Sequence, residues 1–165
     1  MTLYYLDSSA WVKRHFAELG TEWVNKLFEA EHTLSCCTLG FVEVNATAAR
    51  KCAAGAIDGA RLAEVKASLQ EDWNQFLWVG LTPEIVEIAL QVANVHALRG
   101  SDCVHLASAL VLKEHLGVEA QEFEFITSDQ ELKIAAAQAG LLVVDPQQRT
   151  GHPGTLATDE WDEHG

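Results

Sequence analysis

Four acids stand where a folded chain can bring carboxylates together. Asp7 closes the apolar run Leu3–Leu6, and Glu43 lies in the first turns of a helical stretch that follows Thr33–Cys37. Asp102 comes after Arg99-Gly100-Ser101 at a helix start, and Asp129 comes directly after Phe123–Thr127 and Ser128. Two carboxylates ~5 Å apart repel by about 3 kcal/mol at an effective dielectric of ~20, so a cluster of three or more costs on the order of 10 kcal/mol unless it is protonated or holds a cation. Oxygen donors with little His or Cys among them suit Mg2+ or Mn2+ better than zinc. Such a site activates water against a phosphodiester. Each acid has a plainer explanation to set beside this. Asp102 and Asp129 at helix starts also satisfy the helix dipole. Glu43 as a solvated helix residue fits less well, because Phe41, Val42, Val44 and Ala46 around it are apolar. Asp7 is hardest to explain away, since it ends an apolar strand with no basic residue within a turn.

The elements that must carry these acids can be read from periodicity. Leu3–Leu6, Thr33–Cys37, Trp78–Leu81, Phe123–Thr127 and Leu141–Val144 are short apolar runs expected to be buried strands. Between them lie helical stretches: one from near Ala10 capped by Ser8 or Ser9, then Thr21–Ala30, Thr38–Ala54 and Ala60–Phe76. Thr82-Pro83-Glu84 opens a helix that runs to about His96, with Thr as cap, Pro at the first position and Glu at the dipole. Ser101 is expected to cap the next helix, which carries Cys103, Leu106, Ala107, Leu110 and Val111 on one face and ends at Gly117. Ser128-x-x-Glu131 reads as a capping box for a helix that Gly140 stops. Strands alternating with helices predict an α/β fold in three layers, a parallel sheet of about five short strands with helices on both faces. In such sheets ligands bind beyond the carboxyl ends of the strands, the rim where all four acids fall.

Composition narrows the class. The chain has 165 residues, 48% hydrophobic and 21% charged, which excludes a wholly disordered chain. No apolar run reaches the ~18–20 residues of a spanning helix, and the N-terminus lacks a basic leader, so no membrane contact and a cytoplasmic location are expected. Four cysteines without paired spacing argue against a disulfide scaffold or a structural zinc. The net charge is −13, but unevenly spread: residues 1–66 hold 7 basic and 8 acidic side chains, residues 67–165 hold 4 and 16. A strongly acidic protein repels nucleic acid at long range. A local basic rim from the near-neutral half would have to offset that. Residues 1–146 are expected to form the folded domain and 147–165 an acidic, flexible C-terminal tail.

Four stretches taken together resemble the PIN-domain ribonucleases, and in particular the VapC-type toxins of type II toxin–antitoxin pairs. They are Tyr5-Leu6-Asp7-Ser8-Ser9, Phe41-Val42-Glu43-Val44-Asn45, Arg99-Gly100-Ser101-Asp102-Cys103-Val104-His105-Leu106-Ala107-Ser108-Ala109, and Phe125-Ile126-Thr127-Ser128-Asp129-Gln130-Glu131-Leu132 followed by Ala139-Gly140-Leu141. The resemblance spans about Leu3 to Pro146. It implies a PIN-like fold and a metal-dependent endoribonuclease in which Asp7, Glu43 and Asp102 hold Mg2+ or Mn2+ with Asp129 as the fourth acid. Ser9 and Thr127 are then the supporting hydroxyls. RNA is the implied substrate and a small antitoxin protein the implied partner; a homodimer is also expected. Lys13, Arg14 and Arg50 are candidates for contacts to the RNA backbone. The tail lies outside the pattern.

Other readings were weighed on the same residues. His105, a turn beyond Asp102, is read as a satisfied structural histidine rather than a general base. Cys36 and Cys37 are read as buried small hydrophobes, and Trp11, Trp23, Trp73 and Trp78 as core. A haloacid-dehalogenase-like phosphatase needs a second Asp where Ser9 stands, and a receiver domain needs a lysine after a late strand, whereas Lys133 lies within a helix. A catalytically silent PIN-like binding module is the remaining alternative, and the intact acids speak against it.

Overall fold

The computed structural model describes residues 2–119, 122–151 and 153. Leu3-Tyr4-Tyr5-Leu6 forms strand β1 (Leu3–Leu6), and all four side chains are buried. A strand alternates its side chains between two faces. Leu3 and Tyr5 accordingly enter one core, Tyr4 and Leu6 the other. That is why this short run has no polar member: it is the middle strand of a sheet covered on both sides.

β1 pairs in parallel with β2 (Thr33–Cys37) on one side and β4 (Phe123–Ile126) on the other. β3 (Leu77–Val79) adds beyond β2 and β5 (Leu142–Val144) beyond β4, both parallel. The order is therefore β3-β2-β1-β4-β5. The chain works outward from β1 in one direction, then returns to β1's other flank and works outward again. Right-handed crossovers in the two directions put the connecting helices on opposite faces. One face carries α1 (Ser8–Trp11), α2 (Thr21–Glu29), α3 (Thr38–Ala53) and α4 (Gly59–Gln75) against Tyr4, Leu6, Cys36 and Ile126. The other carries α5 (Pro83–His96), α6 (Gly100–Leu116) and α7 (Gln130–Gln138) against Tyr5, Cys37, Phe123 and Phe125. The expected three-layer α/β fold with five parallel strands is present. Its reversal point, between β1 and β4, is where open α/β sheets leave a crevice at their carboxyl ends.

Several boundaries differ from the expectation. Asp7, not Ser8 or Ser9, caps α1, accepting from the Ala10 amide. Helix α6 starts at Gly100 with Arg99 as its cap, so Ser101 is already helical and Asp102 sits in the first turn. Asp129 rather than Ser128 caps α7. Asp7 and Asp129 each accept from the amide three residues on, as caps do, whereas Arg99 holds the cap position of α6 without a side-chain cap bond. The third strand ends at Val79 rather than Leu81 because its register follows β2, which itself ends at Cys37. Of the expected tail, 147–151 and 153 are described and the rest lies outside the described residues. A short 3-10 turn, Pro146–Gln148, begins it, and Pro146 packs against the backbone of Gly20 so closely that a Cβ there would lie 2.9 Å from the Pro146 carbonyl carbon. Gly20 also has φ +97, so both space and conformation demand glycine.

Charged groups inside the fold are paired. Asp72 of α4 is buried and accepts from Trp11 Nε1 at 3.0 Å, lies 2.8 Å from His15 Nε2, and takes Arg14 Nε at 2.9 Å. Asp145 accepts from Lys133 Nζ at 2.6 Å, Ser128 Oγ at 2.9 Å and the Gln147 amide at 2.9 Å. Burial works to raise the Asp145 carboxyl, but these donors, Lys133 foremost, outweigh it and hold the carboxyl below its usual range. A depressed carboxyl adds stability above its unfolded value, ~3.9, that is lost as pH falls through its folded value. Lys133→Met is therefore expected to lower unfolding free energy by about 2 kcal/mol at pH 7. The deficit should shrink below pH ~4 in urea titrations, and a pH-independent deficit would mean that Lys133 contributes by packing instead.

Candidate active site

Asp7 is placed by the sheet and then gripped by its neighbours. Its amide donates to the Ile126 carbonyl at 3.1 Å, which continues the β1–β4 ladder one residue past the strand. Its carboxylate is 3% exposed. Oδ1 accepts from the Ala10 amide at 2.9 Å and from Ser9 Oγ at 2.7 Å, and Oδ2 accepts from Thr127 Oγ1 at 2.6 Å. The hydroxyls are themselves fixed, because the Ser128 amide donates to Ser9 Oγ and the Asp129 amide to Thr127 Oγ1, each at 3.1 Å. Ser9 and Thr127 thus orient Asp7 and tie it to the segment carrying Asp129. Burial raises the Asp7 carboxyl, and the His105 charge and the three donors only partly offset that.

Asp102 points from the first turn of α6, and its Oδ2 is a buried oxygen with no hydrogen-bond partner. Burial, then the charge of Asp129, then that of Asp7 push its carboxyl up, while Arg99 and His105 pull it down. The acids therefore feel one another. Asp129 caps α7 through Oδ1 and the Leu132 amide at 2.8 Å, which leaves Oδ2 facing Arg99 Nη2 at 3.7 Å. Arg99 Nε is also 3.5 Å from Asp102 Oδ2. Its side chain is 77% exposed, so this guanidinium bridges two acids from the solvent side.

Glu43 comes from α3 on the opposite side of the sheet from α6, and His105 of α6 joins it. His105 Nε2 lies 2.6 Å from Glu43 Oε1, and Nδ1 lies 3.0 Å from Tyr5 Oη and 3.5 Å from Cys37 Sγ. The ring is 1% exposed with both nitrogens engaged, as expected of a structural histidine. Burial works to lower its pKa, yet the hydrogen bonds of Cys37 and Glu43 and the charges of Cys37 and Asp7 raise it to about 10. His105 therefore supplies positive charge beneath the acids.

An oxygen-only donor set, mutual charge repulsion and an unsatisfied buried carboxylate oxygen fit a hard divalent cation. The four acids do not sit as a tight cage. Among the described residues, the trio whose ligand atoms all lie within 4.8 Å of one another is Cys36, Cys37 and His105. Closing acids on one ion requires side-chain rotation, which Glu43 and Asp129, each 28% exposed at the side chain, have room to make.

The basic residues correct one expectation. Lys13 is 3% exposed and bound to Glu18 at 2.8 Å, and Arg14 is held by Asp72 and lies over the Phe28 ring. Both are structural cations rather than free backbone contacts, because the chain turns them into α4 and the Glu18 loop. Arg50 is exposed in the last turn of α3 and donates to Thr47 Oγ1. Arg99, read from sequence only as a helix break, is the cation that faces the acids. Its signal was its place three residues before Asp102, where a helix sets both on one side. Tyr5 and Cys37, the partners of His105, gave no signal beyond their strand positions.

A PIN-domain family profile matches residues 4–138. The chain is 33% identical over 112 residues to ribonuclease VapC45 of Mycobacterium tuberculosis, covering 68% of this chain and 78% of that protein. FitAcB from Neisseria gonorrhoeae shares the fold with a TM-score of 0.62 and 16% identity, over 88% of this chain and 99% of its own. A toxin–antitoxin complex from Klebsiella pneumoniae contains a chain with a TM-score of 0.59 and 16% identity, over 88% and 98%.

Thr127→Val is expected to leave Asp7 Oδ2 and the Asp129 amide without their shared partner. It should cost about 1–3 kcal/mol in chemical unfolding and lift the Asp7 carboxyl further in NMR titration. Unchanged stability would show that Ser9 and water suffice.

Proposed function

The chain belongs to the PIN-domain family, and on that premise we propose that it is a Mg2+- or Mn2+-dependent endoribonuclease, the toxin of a type II toxin–antitoxin pair. The observation that carries this reading is the pair of buried carboxylates, Asp7 at the carboxyl end of β1 and the unsatisfied Asp102 in the first turn of α6. Asp7, Glu43, Asp102 and Asp129 would hold the cation. When bound, it would supply Lewis acidity, lowering the pKa of water and neutralising charge on the scissile phosphate.

The chain's own groups do the positioning. Ser9, Thr127 and the Ala10 amide stop Asp7 from rotating. His105 holds Glu43. Neither Ser9 Oγ, bound to Asp7, nor His105, with both nitrogens engaged, is free to act as nucleophile or base. Water is then the attacking group, and the products carry 5′-phosphate and 3′-hydroxyl ends. Arg99 is the side chain best placed to meet an RNA phosphate beside the acids, a role in which its guanidinium exchanges carboxylates for a phosphate.

The ribonuclease name of the mycobacterial relative supports the RNA substrate, and the Klebsiella complex supports an antitoxin partner. Such a partner fits this site if it inserts a basic side chain among the acids. A homodimer has apolar surface available on α5, where Val86, Leu90 and Val95 are exposed. Among the described residues no helix is long and apolar enough to cross a membrane, and a cytoplasmic location belongs to this reading.

Purified protein incubated with cellular RNA and Mg2+ or Mn2+ should generate new 5′-phosphate ends that EDTA abolishes. Asp7→Asn or Asp102→Asn should cut the rate by at least ~100-fold. Undiminished cleavage by Asp7→Asn in EDTA would overturn the mechanism. Arg99→Ala should move two readouts in opposite directions. Mn2+ binding, followed by electron paramagnetic resonance, should tighten several-fold because a competing cation is gone. RNA cleavage should weaken, chiefly in KM, because a phosphate contact is gone. Parallel changes in both would assign Arg99 a purely structural part.

A further inference from the structure

A second cluster lies beneath the acids, and the chemistry above uses only its histidine, as a support for Glu43. Cys36 and Cys37 close β2, and His105 reaches them from α6. All three are buried, and one ligand atom from each lies within 4.8 Å of the other two. In a tetrahedral zinc site the bond lengths of ~2.3 Å to sulfur and ~2.0–2.1 Å to nitrogen place ligand atoms roughly 3.5–4 Å apart, so the trio stands close to binding distance.

Three further features favour a ligand there over mere packing. Cys37 Sγ already lies 3.5 Å from His105 Nδ1. The other ring nitrogen, Nε2, is 2.6 Å from the Glu43 carboxylate. A metal-ligating histidine characteristically gives its far N–H to a carboxylate, which fixes the tautomer and raises the basicity of the ligating nitrogen. That outer partner is in place before any ion arrives. Gly40 lets Cys36 Sγ lie against the backbone of α3 beside the imidazole, because a Cβ there would collide with Sγ and stand 3.1 Å from His105 Cε1. Adjacent residues on a strand ordinarily point to opposite faces. Cys36 and Cys37 do enter opposite cores, yet one ligand atom of each lies within 4.8 Å of the other and of the His105 ring, which reaches the end of β2 from α6.

We propose that Cys36, Cys37 and His105 form a binding site for one soft d10 cation of the Zn2+ or Cd2+ class, separate from the hard-cation site of the four acids. Two thiolates and one imidazole are the donor set such ions select over oxygen. The ion displaces the protons held on the two sulfurs and on His105 Nδ1, which pass to solvent, and two thiolates with a neutral imidazole leave a neutral sulfur–metal unit in the core. His105 ligates through Nδ1 and keeps its Nε2 proton on Glu43. Tyr5 Oη, 3.0 Å from Nδ1, would give up that hydrogen bond when the ion takes the nitrogen. The site stands on its own geometry, so it holds whether or not the chain proves to be a nuclease.

Cadmium and zinc salts alone are the probes. Titration of the reduced full chain with Cd2+ is expected to produce a thiolate-to-metal charge-transfer band that saturates at one ion per chain. Cys52→Ser, a thiol remote from the cluster in sequence, should keep the band. Cys36→Ser and Cys37→Ser should each lose most of it while their circular dichroism stays that of the wild type. Because either serine variant could disturb the core, X-ray absorption of the zinc-loaded wild type gives a reading without substitution, and sulfur and nitrogen neighbours together are expected. An oxygen-only shell, no band in the wild type, or a band that survives in both serine variants would overturn the site. RNA cleavage with Mg2+ does not enter any of these outcomes, so a failed nuclease assay and a failed metal titration are separate results.

Discussion

Everything at this site depends on keeping one carboxylate ionisable where the protein is nearly dry. Asp7 ends the strand that both cores share, so it cannot move outward without unzipping the β1–β4 ladder. Its charge is tolerated because hydroxyls and an amide are aimed at it before any ligand arrives. Those hydroxyls come from two different segments, the first turn of α1 and the stretch between β4 and α7. The carboxylate therefore also works as a clamp between the outgoing and returning halves of the sheet. Loss of that grip would loosen the fold and the site together.

The overall charge of −13 looks wrong for a protein that handles a polyanion. Screening resolves part of the difficulty, since exposed charges more than ~8 Å apart hardly act on one another at physiological ionic strength. What matters is the field within a few ångströms of the acids. There Arg99 sits on the solvent side and His105 on the core side. Part of the acidic surplus of the second half of the chain falls on exposed helix positions such as Glu84, Glu87, Glu114 and Glu131, where it is well hydrated and favours a basic partner.

The central strand and the four acids were legible in the sequence because each acid interrupts an apolar run or opens a helix, and those transitions leave a local mark. The α/β class followed from the alternation itself. What was not legible depended on tertiary path. Lys13 looked like a free cation until the turn after α1 buried it against Glu18. Ser101 and Ser128 looked like caps, yet the cap position of α6 falls two residues earlier, at Arg99, and that of α7 one residue later, at Asp129. Arg99 gave no sign of facing Asp129, because that contact joins α6 to α7 across the crevice. Cys36 and Cys37 read as buried small hydrophobes, and only the tertiary path of α6 brings the His105 ring to both of them.

One further consequence concerns light rather than chemistry. Trp11, Phe41, Trp73 and Trp78 form a continuous aromatic series with successive centroids 5.9, 4.7 and 5.9 Å apart and interplanar angles of 16°, 1° and 25°. It begins at a fully buried indole beside α1 and ends at an indole 57% exposed on the edge strand β3. The four rings form one stacked column with its inner end in the core and its outer end in solvent. A molecule that settles on the β3 edge therefore changes the emission of Trp78, whereas Trp11 reports on the interior.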